Sequence, residues 1–164
     1  MMTEEKALVA VVMGSASDAD VMRGCIETLK ELGISHQVKV LSGHRTPDAA
    51  RQYAMSASSL GIEVIIAGAG WAAHLAGFIA GLTPLPVIGV PIDSSPLNGM
   101  DSLLSTVQMP PGIPVATVSI GKGGAKNAAV LAAQILALKY PAVAERLLNY
   151  RRQLTQKALE ASGI

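Results

Sequence analysis

Apolar residues fall along this chain in two patterns, short continuous runs and longer stripes at helical spacing. Leu8 to Met13 is uninterruptedly apolar, which fits a strand buried on both faces. After Gly14–Asp18, the residues Val21, Met22, Cys25, Ile26, Leu29 and Leu32 form one helical stripe that Gly33 ends. Ser17 or Asp18 is expected to cap that helix. Ser35 to Leu41 alternates in part and reads as a second strand. Pro47 suits the first turn of a helix with Thr46 as its cap, running to about Leu60 before Gly61.

Glu63 to Ala67 reads as a third strand, and Gly68-Ala69-Gly70 then breaks into a short helix through His74, Leu75 and Ile79. Pro86 to Val90 gives a fourth strand, Pro91 to Gly99 a loop, and Met100 to Val107 a helix. A fifth strand is expected from Pro114 to Ile120, then a long apolar helix from Ala125 to Leu138. Pro141 opens a last helix, about 141–160 and charged from Glu145 onward, expected to project and reach a neighbouring subunit. Strand and helix thus alternate about five times with short connections. This predicts one α/β domain over 1–164, a parallel sheet with helices on both faces. In such folds ligands bind beyond the carboxyl ends of the strands. The Gly- and Ser-rich loops here all follow strands, so they converge at that end.

Composition sharpens this picture. Aromatic residues are 3 % and charged residues 15 % of the 164. The core is therefore built from small aliphatic side chains, and so few charges imply apolar surface covered by other subunits. The net charge is +1, with Lys and Arg scattered, so nucleic acid is not an expected partner. No apolar run is long enough to span a membrane. Met1 to Lys6 lacks the pattern of a secretory signal, and the single Cys25 excludes an intrachain disulfide. A cytoplasmic protein is expected.

The candidate chemistry lies in the strand-end loops. In Ser42-Gly43-His44-Arg45-Thr46-Pro47, an imidazole that titrates near neutrality stands beside a cation suited to bidentate anion recognition. Gly14 to Asp18 offers a close backbone approach, hydroxyls from Ser15 and Ser17, and an acid, Asp18, suited to a sugar hydroxyl. A plain capped turn explains the same residues. Gly68-Ala69-Gly70-Trp71-Ala72-Ala73 fits the form of a dinucleotide fingerprint, with Asp93 near the place of a ribose-binding acid. Its position after the third strand and its bulky Trp71 count against that reading. His74 is either a cleft residue or a structural histidine, and His36 and Cys25 are assigned no role. No cluster has metal-ligand spacing.

Several motifs recur together: Met13–Asp18, Ser42–Pro47, Ala67–Gly70, Ala72–Leu75, Asn98–Leu103, Val107–Pro110 and Lys126–Ala129. In this order and spacing the chain resembles the bacterial N5-carboxyaminoimidazole ribonucleotide mutases of purine biosynthesis, over nearly its whole length. The resemblance implies a flavodoxin-like three-layer α/β/α sandwich, a homo-octamer, and interconversion of N5-carboxyaminoimidazole ribonucleotide and 4-carboxy-5-aminoimidazole ribonucleotide without metal or organic cofactor. It implies His44 as general acid and base, and Ser15, Asp18, Ser42 and Arg45 as substrate-binding residues. Gly70, Ala72 and His74 are implied as walls of the pocket for CO2 and the ring. The Ala72-Ala73-His74-Leu75 segment resembles the mutase class, while the related carboxylase that uses free CO2 is the nearer alternative. Three residues depart from the usual pattern: Gly43 for alanine, Trp71 for glycine and Ala76 for proline.

Overall fold

A computed structural model describes residues 6–163; the Met1–Glu5 part of the amino-terminal reading lies outside them. The chain runs β1 (Val9–Met13), α1 (Ala19–Glu31), β2 (His36–Val40), α2 (Pro47–Ser56), β3 (Val64–Gly70), α3 (Leu75–Ala80), β4 (Val87–Ile92), α4 (Met100–Val107), β5 (Ala116–Thr117), α5 (Gly121–Ala137) and α6 (Pro141–Ala161). The sheet is all parallel, in the order β2-β1-β3-β4-β5. This is the flavodoxin-like order, whose switch point lies between β1 and β3.

The continuous apolar runs of β1, β3 and β4 follow from burial on both faces. Val9, Val11, Val64, Ile66, Ile88 and Val90 pack against α1, α5 and the start of α6. Ala10, Val12, Ile65, Ala67 and Val87 face the other way, toward α2 and α3. On this second face α4 meets β4 at Gly89, where a Cβ would lie 2.3 Å from Thr106 Cγ2. The alanine-rich stripe of α5 buries Ala125, Ala128, Ala129, Ala132 and Ala133, with Leu136 as its one large buried side chain. Small side chains here let helix and sheet approach closely.

Several expected boundaries are corrected. Gly68, Ala69 and Gly70 do not break the third strand; they are its last residues, paired with Val90, Pro91 and Ile92. No side chain projects from Gly68, where a Cβ would stand 2.5 Å from Met22 Sδ. The fifth strand is two residues, not seven, because Pro114 has no amide to donate and the chain leaves the sheet edge after Val118. α2 stops at Ser56 rather than near Leu60, in turns that bond back to Ser56, Ala57 and Ser58. α5 begins at Gly121 rather than Ala125, so Gly121, Gly123 and Gly124 lie in its first turn. Gly124 is required there, since a Cβ would fall within bonding distance of the Ser119 carbonyl oxygen.

Candidate active site

Four strand ends meet at one cleft of about 670 Å³. β1 delivers Gly14 to Asp18, β2 delivers Ser42 to Arg45, β3 delivers Gly70 to His74, and β4 delivers Ser94. All eight residues named from the sequence as a site line this one cleft: Ser15, Asp18, Ser42, His44, Arg45, Gly70, Ala72 and His74. They come from three loops that only the parallel sheet brings side by side.

The first loop is held by its own polar groups. The Ser15 amide donates to Asp18 Oδ2 at 3.0 Å, and Ser17 Oγ donates to Ser15 Oγ at 2.8 Å. Asp18 stands at the N-cap position of α1, as one of the two expected residues, but its side chain makes no cap bond there; it instead completes a capping box with Ser15 around the turn Ala16–Asp18. Asp18 is only 5 % exposed. Burial raises its pKa, opposed by the Ser15 amide and by the Arg45 charge.

The second loop folds on Ser42. Its Oγ accepts from the Arg45 amide at 3.0 Å, and its own amide donates to Thr46 Oγ1 at 2.9 Å. Thr46 therefore closes the turn instead of capping α2, whose first position is filled by Pro47. Arg45 Nη2 donates to the Gly14 carbonyl at 2.9 Å and so ties the two loops together. Its Nε donates to Ser42 Oγ at 3.5 Å, and the residue is exposed, so an anion can reach the guanidinium.

His44 and His74 stack, with ring centroids 4.7 Å apart and planes 18° from parallel. Phe78 of α3 supports His74 from the side, at 5.3 Å between centroids. Desolvation, and then the neighbouring His44, lower the His74 pKa, which favours the neutral imidazole. Gly43 lies close under this stack, and a Cβ there would stand 3.1 Å from His74 Nδ1. Gly70 is held to glycine by Ser94, which would collide with any Cβ. Trp71 has a φ of 54°, a left-handed backbone that costs a non-glycine residue about 1–3 kcal/mol.

Ser94 was not among the sequence candidates. Its signal was available, because Pro91–Gly99 is a loop at the same sheet end as the others. Asp93, weighed as a ribose-binding acid, lies instead against Gly99 and the start of α5 at Gly121. His36 points its Nδ1 at the Ile34 carbonyl, 2.9 Å away. Cys25 is buried in the core, where desolvation pushes its thiol up to about 12. Among the described residues, no group of three or more His, Cys, Asp or Glu is placed to hold a metal ion.

Residues 8–157 match the family described as AIR carboxylase. The chain belongs to that family. It is 56 % identical over 159 residues to the N5-carboxyaminoimidazole ribonucleotide mutase of Pyrococcus horikoshii, covering 97 % of this chain and 89 % of the relative. The mutase of the same name from Pseudomonas aeruginosa is 55 % identical over 154 residues, covering 94 % of each. In three dimensions the chain is similar to Treponema denticola PurE, with a TM-score of 0.86, 30 % identity, and coverage of 96 % of this chain and 97 % of that one. The family resemblance read from the motifs is thus shown across nearly the whole chain.

Proposed function

We propose that this protein is an N5-carboxyaminoimidazole ribonucleotide mutase of purine biosynthesis, an isomerase that moves a carboxylate from nitrogen to carbon. The observation that carries this reading is the cleft itself, in which the His44 and His74 imidazoles, the Arg45 guanidinium, the Asp18 carboxylate and four serines converge beyond β1, β2, β3 and β4. The names of the curated relatives support it. Arg45 and Ser42 hold the 5′-phosphate, with Ser15, and Asp18 accepts from the ribose hydroxyls. This leaves the ring end of the ligand among Gly70, Ala72 and His74.

His44 is the general acid and base. As the imidazolium it gives a proton to the carbamate nitrogen, the N–C bond breaks, and CO2 leaves with the amine restored. The C4 carbon then attacks CO2, and neutral His44 removes the C4 proton, which restores the aromatic ring and the imidazolium. One proton leaves His44 and one returns, so no further acid or base is required. A group serving both steps works best with a pKa near the working pH, the ordinary range of histidine.

Conversion of the carbamate substrate is expected to proceed without added bicarbonate. Dependence on bicarbonate would replace this reading with a carboxylase using free CO2. His44→Asn is expected to lose turnover by at least about 10²-fold while binding of aminoimidazole ribonucleotide, followed by calorimetry, persists. Retained turnover would exclude His44 as the proton carrier.

We further infer a cytoplasmic homo-octamer whose 1–164 chain works as one domain. Apolar residues left exposed on β2, α4 and α6, among them Val40, Leu104 and Leu154, support subunit contacts. Among the described residues no helix is long and apolar enough to cross a membrane.

A further inference from the structure

Trp71 is the only tryptophan of the sequence, and it stands at the cleft with 61 % of its surface exposed. Its backbone is left-handed, where glycine is free of strain and a bulky residue is disfavoured. Asn98 is also left-handed, but asparagine adopts that conformation readily. Strain of the Trp71 kind clusters at active sites and ligand clamps, where the surrounding structure holds it in place. An exposed indole also leaves apolar surface in water that a ligand can cover.

The lining of the cleft has two chemical characters. Ser15, Ser42 and Arg45 supply hydroxyls and a cation, while Gly70, Ala72 and Leu75 supply small and apolar surface. Trp71 lies in the chain between Gly70 and Ala72, next to that small and apolar lining. The stacked rings of His44 and His74 belong to the same cleft. We propose that Trp71 is a substrate-positioning residue whose indole covers the heteroaromatic ring of a ribonucleotide held by its phosphate at Arg45. This rests on the ribonucleotide reading above. A stacked indole fixes the plane of the ring and removes water from one side of it, without hydrogen-bond demands.

The single tryptophan makes the test direct. Aminoimidazole ribonucleotide is titrated against the full-length protein by intrinsic fluorescence and, in parallel, by calorimetry, with ribose 5-phosphate as the ring-free comparison. The ribonucleotide is expected to shift the emission saturably, and ribose 5-phosphate to shift it little. Trp71→Gly is expected to bind the ribonucleotide roughly tenfold more weakly, with ribose 5-phosphate affinity unchanged, while Trp71→Phe recovers most of the loss. Trp71→Gly also releases backbone strain, so its melting temperature is expected to hold or rise, which shows that it folds. Calorimetric binding with silent emission and unchanged Trp71→Gly affinity overturns the assignment and leaves the mutase reading standing. Equal losses for both ligands, or a changed oligomer mass in Trp71→Gly, overturn it in favour of a structural or interface role. A wild-type protein that binds no aminoimidazole ribonucleotide overturns both readings.

Discussion

Two cleft residues show how a single position balances stability against use. Asp18 is a buried carboxylate whose pKa is raised by that burial. The folded state therefore binds its proton more tightly than the unfolded chain does. Stability from this group declines as pH rises from the ordinary 3.8 through the raised value, and the deficit remains at neutral pH. Asp18→Asn keeps a carbonyl oxygen for the Ser15 amide and removes the disfavoured charge. It is expected to melt at the same or a higher temperature at pH 7 and to bind aminoimidazole ribonucleotide more weakly, seen by scanning calorimetry and titration. Gly43 presents a second case. A methyl there needs His74 to yield by a few tenths of an ångström from 3.1 Å, and His74 is exposed enough to move. Gly43→Ala is expected to stabilise the fold by about 0.4–1 kcal/mol, because it restricts the unfolded chain. Urea denaturation checks this; a loss would show that Phe78 pins the His74 ring.

At the scale of elements, the site is placed by strand ends and kept by helix ends. α1 ends at Glu31, leaving carbonyls that need partners. Arg146 of α6 supplies them, Nε donating to the Leu32 carbonyl at 2.6 Å and Nη2 to that of Gly33 at 3.3 Å. Two distant helices are thereby locked on one face of the sheet. Arg146→Ala is expected to cost about 1–2 kcal/mol, measured by urea denaturation, with the affinity of the cleft for aminoimidazole ribonucleotide unchanged. The cleft stands at the other edge of this packing, so a drop in affinity would show that α1 transmits to the Gly14–Asp18 turn. The helix stripes of α1 and the proline start of α2 were legible in sequence, because periodicity and a fixed φ are local properties. The length of β5 was not, because pairing to β4 is decided by how far two chains stay side by side.

For the whole molecule, the apolar surface left over asks for partners. α6 buries Val143 and Leu147 against the body, yet beyond them Leu148, Leu154 and Leu159 stand exposed. A helix with apolar residues on its outer face is soluble alone only at some cost in aggregation. Sedimentation is expected to give a particle eight times the 16.9 kDa chain mass. Leu154→Glu is expected to lower that mass while the isolated subunit keeps its helical content by circular dichroism. An unchanged mass would move the subunit contact away from this stretch of α6.

The sequence by itself determined the element order, the parallel sheet and the three loops that bear Ser15 and Asp18, His44 and Arg45, and His74. Buried apolar runs, helical stripes and strand-end glycines are encoded within a few residues, and repetition of strand and helix leaves few topologies open. Only the tertiary structure decided what those loops do to one another. It set the Arg45 contact to Gly14, the His44–His74 stack close over Gly43, and the arrival of Ser94 over Gly70. It also fixed the left-handed backbone of Trp71. Each of these joins residues from different strands, or bends one residue against its own preference. Such contacts depend on the register of the sheet and the spacing of its layers, which no local pattern carries.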